Sequence, residues 1–512
     1  MTNFNLYQRF SDRFSDKAGR KFAEIDDGRV YTYEHVEQVT ARFAATLVKL
    51  GVEPGDRVAV QVEKSIEALM LYLATVRAGG VFLPLNTAYT PNEIEYFLTD
   101  AEPRVFFCDP SKAEALQPVA DKAGAQLETL GVYQNGEDRS QFGSFLMKVP
   151  EQADFNTIFR AKDDLATILY TSGTTGRSKG AMTTHENLWT NAITLCDFWK
   201  FTKDDVLLHA LPIFHTHGLF TSTNTILAAG ASMIWQPRFN ADNVIARLPD
   251  ATSMMGVPTF YTRLLDRDDF TRDLVSHIRL FVSGSAPMLT ETHEQFQKRT
   301  GHTILERYGM TETQMNTSNP YAGERIPGTV GFPLPDVDIK ITDPETGRCL
   351  PTGEIGMIEV RGPNVFKGYW RMPEKTAEEL RETGFFITGD LGKIDEAGYV
   401  SIVGRSKDLI ISGGYNIYPK EIEEAIDDLP GVLESAVVGT PHPDFGEGVV
   451  AVVVSSGESE LTEEGVISGL SDQLARFKQP KRVFFTEALP RNAMGKVQKK
   501  ALREEHEGVF KS

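Results

Sequence analysis

The amino-acid sequence predicts an α/β protein: a large region built on mostly parallel sheets with helices on both faces, followed by a small α+β domain. Three observations carry this. Short apolar runs alternate with helical patterns over residues 30–110 and again over 165–300. Gly and Pro become frequent from about 326 to 370 while the strands shorten, which suggests a small β subdomain. A charged segment, Gly404-Arg405-Ser406-Lys407-Asp408, then leads into a compact unit of independent domain size.

In chain order, 41–50 is helix-like, 57–62 is a β-branched run, 66–78 is helical and 81–84 opens another apolar run. The second βα series places strands at 165–170, 206–211, 253–257 and 280–283. A strand at 399–403 precedes the charged segment. Behind it the pattern predicts a helix over 419–428 and strands over 433–438 and 449–454. The boundary falls near 406–408, which divides the chain into 1–406 and 407–512.

Composition narrows the function classes. The 512 residues are 41% hydrophobic and 24% charged, with a formal net charge of −18. That balance opposes broad binding to nucleic acid or an anionic membrane, which draws on a basic surface. It does not oppose ATP, because a local cluster of donors holds a phosphate on an acidic protein. Cys108, Cys196 and Cys349 lie far apart and form neither a metal-ligand spacing nor a disulfide framework, as suits a reducing cytosol. The N-terminal residues lack a signal-peptide core, and no apolar run approaches the ~20 residues of a membrane helix. A cytoplasmic enzyme is expected.

The apolar run 165–170 leads directly into Thr171-Ser172-Gly173-Thr174-Thr175-Gly176-Arg177-Ser178-Lys179-Gly180. Glycines for tight turning, hydroxyl donors and two cations suit a polyphosphate. A Walker P-loop fails on spacing, since Gly rather than Ser or Thr follows the lysine. A flexible surface loop is the plainer alternative. Position decides against it, because open α/β sheets bind ligands at the C-terminal ends of their strands.

This loop resembles the phosphate-loop signature of the acyl-adenylate-forming superfamily: acyl-CoA synthetases, luciferases and peptide-synthetase adenylation domains. Further motifs of that family follow in order, in residues 211–218, 283–287, 308–313, 388–390, 404–408 and 490–496. The resemblance implies two doubly wound α/β subdomains, a small β-barrel-like subdomain and a mobile C-terminal domain. It also implies ATP, Mg²⁺ and coenzyme A as cofactors and cosubstrates.

Residue by residue, the resemblance implies that Thr171, Ser172, Gly173, Thr174, Thr175 and Lys179 cradle the phosphates. Thr311 would donate to the α-phosphate and Glu312 would help hold magnesium. Tyr308 would stack on adenine against Gly284, Ser285 and Ala286. Asp390 and Arg405 would hold the ribose, a carboxylate being suited to a diol. Lys496 would bridge the reacting carboxylate and the α-phosphate, where catalysis rests on neutralising charge and aligning reactants. His215 matches the histidine beside that carboxylate. His217 is a weaker acyl-pocket candidate, and the two histidines lack the further ligands a metal centre needs. Asp408 matches the hinge, and Gly413, Gly414 and Tyr415 would approach the pantetheine arm.

The stretches 306–320 and 362–374 resemble the malonyl-CoA synthetase subgroup. Malonate brings a second carboxylate that needs a cation. Arg279, in an apolar strand, is the candidate, with Arg238 and Arg325 as alternatives. Met310 and Met315 would limit space beyond the α-carbon and disfavour methylmalonate. The runner-up is a synthetase for acetate, propionate or another short monocarboxylate. A carrier-loading adenylation domain, a non-catalytic nucleotide sensor and a luciferase are each less well supported by the motifs. Acetylation of Lys496 would remove its charge, which makes a lysine acetyltransferase a candidate partner.

Overall fold

The structure is a computed structural model that describes residues 2–132, 142–171, 178–412, 415–457, 461–471, 473–492 and 495–510. Its large domain rests on two sheets. One runs, edge to edge, through Gly368–Tyr369, Lys179–Thr184, Leu165–Thr171, Val81–Pro84, Arg57–Gln61, Val105–Cys108 and Gln126–Thr129. The other centres on Leu305–Met310, Leu280–Ser283, Ser253–Gly256, Val206–His209 and Ser232–Trp235. These central strands pair in parallel. The edges do not: Lys179–Thr184 lies antiparallel to Leu165–Thr171, and Gln314–Ser318 antiparallel to Leu305–Met310. The sheets are therefore mixed.

One continuous apolar core takes side chains from both sheets, including Phe82, Val105 and Ala166 from the first and Leu207, Met233 and Val282 from the second. The helix Ile66–Arg77 shows why such a layer forms. It is apolar on nearly every face, so only burial on all sides satisfies it, and all twelve of its residues are buried. Ser65 caps it by accepting from the Ala68 amide. Separate cores on the outer sheet faces complete the arrangement of helices on both sides of each sheet.

The region expected to be barrel-like is a four-stranded antiparallel sheet: Asp338–Thr342, Gly356–Arg361, Phe386–Ile394 and Val400–Arg405, paired in that order. It extends well past residue 370, because the Gly/Pro-rich stretch supplies its turns and not its last two strands. The small domain has its own core around a sheet of Ile410–Ser412, Tyr415–Ile417, Val432–His442, Gly446–Ser455 and Arg482–Thr486, with the helix Pro419–Asp427 packed on it. The two long strands exceed the expected 433–438 and 449–454. Their polar ends are held by cross-strand pairing and not by an apolar pattern.

Candidate active site

The candidate residues converge where the two large sheets, the four-stranded sheet and the small domain meet. Thr171 and Lys179 face each other across the mouth of the Gly/Ser/Thr loop. Ser172, Gly173, Thr174 and Thr175 lie outside the described residues, as do Gly413 and Gly414. Lys179 Nζ donates to both carboxylate oxygens of Glu379, at 3.1 and 3.2 Å, and lies 4.2 Å over the Tyr369 ring. The Tyr369 hydroxyl sits 2.6 Å from Glu379 Oε2 and 3.1 Å from Glu312 Oε1.

Glu312 is buried, and burial raises its pKa against the pull of its own amide, Tyr369, Lys179 and Arg405. A buried carboxylate beside a phosphate loop fits a nucleotide-bound magnesium, which commonly takes one or two carboxylates from the protein. Among the described residues no group of three or more His, Cys, Asp or Glu forms a metal cage.

On the other flank, the antiparallel register sets Asp390 directly opposite Arg405. Arg405 Nε pairs with Asp390 Oδ1 at 2.6 Å, and the Tyr308 phenol donates to Asp390 Oδ2 at 2.5 Å. Both carboxylate oxygens are thereby oriented, and the Tyr308 ring is fixed in a buried position. Gly284, Ser285 and Ala286 leave the strand Leu280–Ser283, with Ser285 held at φ +74°. A side chain other than Gly, Asn or Asp seldom adopts that region, and such strain collects at functional sites.

The Ser285 hydroxyl lies 3.1 Å from His217 Nδ1. His217 begins a π-helical turn, His217–Asn224, two residues after His215. Burial lowers both imidazoles, His215 to about 4 and His217 well below its ordinary value, the latter helped by the nearby charge of Arg307. Both rings are neutral near pH 7 and offer one donor and one acceptor each.

Arg307 is the group that the sequence reading missed. It stands on the strand Leu305–Met310, one residue before Tyr308, and is 4% exposed. Among the described residues its Nε and Nη2 have no hydrogen-bond partner, nor does His217 Nε2. Burial pushes its pKa down to about 9 against the opposing pull of Tyr261, so the guanidinium is still charged at neutral pH. Gly284 makes room for it, since a Cβ there would stand 2.5 Å from the guanidinium carbon. The signal was an arginine within a buried strand, in a stretch already noted for its resemblance.

Arg279 is the correction. Its Nε pairs with Asp205 at 2.6 Å, Nη1 donates to the Trp199 carbonyl at 2.9 Å, and its guanidinium lies over Phe201 and Tyr321. It precedes the strand whose far end carries Gly284, so it serves a structural ion pair away from the site. Arg325 is likewise occupied, donating to the carbonyls of Thr303, Pro320 and Tyr321. Met310 is half-buried, and Met315 is buried against Gly309. Thr311 is half-buried between Met310 and Glu312, and its carbonyl accepts from Gln314.

Lys496 comes from the small domain. The Asn492 amide donates to the Lys496 carbonyl, and the Gly495 amide to the Asn492 carbonyl, which closes a tight turn. Gly495 has φ +74°, and a Cβ there would lie 3.2 Å from Thr259 of the large domain. The turn thus sets Lys496 near Arg405, Lys407, Asp390 and Asp408, where the cleft walls crowd the ammonium although the residue still meets solvent. Burial first, then Arg405 and Lys407, push its pKa down to about 8 against the two aspartates. Asp408 pairs with Arg503 at 2.6 Å, and Tyr415 stacks on Phe477 at the surface of the small domain.

This arrangement collects cations, oriented carboxylates and neutral imidazoles around one interdomain cleft, as suits a nucleotide and a second anion. Residues 10–370 match the family described as AMP-binding enzyme, and residues 421–496 match its C-terminal domain. The chain belongs to the AMP-binding enzymes, the adenylate-forming class. Within that class it stands with the AMP-forming CoA ligases. It is 34% identical to the mitochondrial malonate–CoA ligase ACSF3 of Mus musculus, over 94% of this chain and 88% of that one. It is 32% identical to a long-chain-fatty-acid–CoA ligase of Bacillus subtilis (strain 168), over 96% and 92%. ATP-bound MatB of Rhodopseudomonas palustris superposes with a TM-score of 0.96 at 57% identity, covering 99% of this chain and all of that one. The apo form of MatB, at the same identity and coverage, gives 0.85.

Proposed function

We propose that this enzyme joins malonate to coenzyme A through malonyl-adenylate, releasing pyrophosphate and then AMP. The observation that carries the choice of acid is Arg307. A buried guanidinium with two unpaired nitrogens is costly unless a counter-charge completes it, and the distal carboxylate of malonate is such a group. The malonate–CoA ligase among the relatives supports the same reading.

In the first half-reaction the near carboxylate attacks the α-phosphorus, and the bond to the bridging oxygen breaks so that pyrophosphate leaves. Lys496 carries the ammonium that offsets the repulsion between the two anions. Lys179, Thr171 and residues 172–175 hold the polyphosphate, and Thr311 donates to the α-phosphate. Glu312 would hold magnesium, which when bound neutralises charge on the phosphates. Tyr308 and residues 284–286 enclose adenine, while Asp390 accepts from the ribose hydroxyls with Arg405 fixing its carboxylate. His215 orients the reacting carboxylate as a neutral imidazole.

In the second half-reaction the thiol adds to the acyl carbon and AMP departs with the electron pair of the broken bond. The small domain turns about Asp408, which removes Lys496 and brings residues 413–415 to the pantetheine arm. We place the domain boundary at 406–407 for this reason.

Purified protein with ATP and magnesium is expected to exchange labelled pyrophosphate into ATP with malonate. Acetate, propionate and butyrate should be poorer by about a hundredfold or more in kcat/KM, since each leaves Arg307 without a partner. Arg307→Met should cost malonate about 2–5 kcal/mol of transition-state binding and affect butyrate far less. Equal turnover of acetate and malonate by the wild-type enzyme would assign it to short monocarboxylates instead.

A further inference from the structure

The ion pair between Lys179 and Glu379 has consequences for how polyphosphate enters and leaves. We propose that Glu379 is a positioning residue that competes with polyphosphate for Lys179, holding the lysine while the site is empty and drawing it back as pyrophosphate departs. The inference rests on the reading of Lys179 as a phosphate ligand.

Three observations carry it. Glu379 meets Lys179 with both carboxylate oxygens, at 3.1 and 3.2 Å, so the ammonium has a protein anion as a ready alternative to a phosphate. Glu379 is also anchored without that lysine: Tyr369 donates to it at 2.6 Å and Lys375 Nζ lies 3.0 Å away. The carboxylate therefore stays in place when Lys179 swings to a phosphate, and remains a fixed anion beside the departing one. Finally, Glu379 is the last residue of the helix Pro373–Glu379. An acid at that end opposes the helix dipole, which leaves the i,i+4 pair with Lys375 as its local support.

Glu379 remains ionised. Burial raises its pKa, but hydrogen bonds from Tyr369, Lys375 and Lys179 together leave it below the ordinary value. A fixed negative charge next to a polyphosphate weakens its binding and hastens its release. AMP lacks the β- and γ-phosphates and is not subject to this competition.

The test uses the full chain with magnesium and compares wild type, Glu379→Gln and Glu378→Gln. Gln keeps the size of the side chain and still accepts from Tyr369. Glu378 touches Lys375 but not Lys179, and so controls for charge on the same helix. Calorimetry would measure binding of ATP, AMP and inorganic pyrophosphate, and initial rates would measure inhibition by pyrophosphate. In Glu379→Gln, ATP and pyrophosphate should bind about fivefold tighter, pyrophosphate should inhibit at correspondingly lower concentration, and AMP affinity should not move. Glu378→Gln should match wild type throughout. Unchanged or weaker pyrophosphate binding in Glu379→Gln would overturn the proposal and reduce the pair to a structural tether. Wild-type protein that binds AMP but neither ATP nor pyrophosphate would overturn the assignment of Lys179, and the competition with it.

Discussion

Lys496 shows how a single side chain couples charge to position. Its pKa of about 8 follows from removal from bulk water and from the neighbouring cations Arg405 and Lys407, offset by Asp390 and Asp408. The ammonium exists below that pKa and is lost above it. Adenylation should therefore decline as pH rises through about 8, while thioester formation from supplied malonyl-adenylate should lack that descending limb. A pH profile of each half-reaction, measured separately, checks this. Lys496→Ala should lower pyrophosphate exchange by at least about a hundredfold and largely spare the second half-reaction. Near-normal exchange in that variant would remove the residue from the chemistry. Arg307 stands at the same scale: its buried Nε and Nη2 lack a partner among the described residues, which is why we propose it as the group that takes the distal carboxylate of the acid.

Among the elements, the π-helical turn His217–Asn224 decides how the two histidines are presented. It requires Gly218, because a Cβ there would stand 2.0 Å from the Pro212 carbonyl oxygen. The carbonyl of Gly218 also accepts from Thr223 Oγ1 at 2.9 Å and lies 2.9 Å from His209 Nε2. Lys64 lies 2.9 Å from the other nitrogen of that imidazole, so the turn is braced from the strand end behind it. Gly218→Ala is expected to destabilise the large domain by about 1–3 kcal/mol and to disturb His217. Thermal unfolding should show a lower melting temperature, and the KM for the acid should rise more than that for ATP. Little of this element was legible in the sequence. Its apolar and hydroxyl residues satisfy no strict 3.6-residue period, and its hydrogen bonds reach residues remote in sequence. The helix Ile66–Arg77 was legible for the opposite reason, because a largely apolar helical pattern dictates a buried helix on local grounds.

For the whole molecule, the small domain rests on the large one through contacts that include a side-chain hydrogen bond. Lys420 Nζ donates to the Ile402 carbonyl at 2.7 Å and Gly495 lies against Thr259, while Arg503 holds Asp408 within the small domain. The first two must break if the domain turns about a hinge at 406–408. Asp408→Pro would fix φ near −65° at that position. We expect pyrophosphate exchange to persist in this variant while overall malonyl-CoA formation falls by about tenfold or more. Equal loss of both half-reactions would argue that the hinge lies elsewhere.

The sequence by itself determined the elements whose signals are local: the βα alternation, the largely apolar helix at 66–77, and the motif residues that mark the family. These rest on nearest-neighbour sterics, periodicity and side-chain chemistry, all written along the chain. Only the tertiary structure decided which arginine is free. Arg279 and Arg307 both sit in or beside buried strands, and nothing in their flanking residues distinguishes them. Asp205, 74 positions away from Arg279, neutralises one; Gly284, 23 positions from Arg307, opens space around the other. The partners of Lys179 were equally hidden, because Glu379 lies 200 residues along the chain. Pairing of charges across such separations depends on how the chain closes on itself, and no window of sequence contains it.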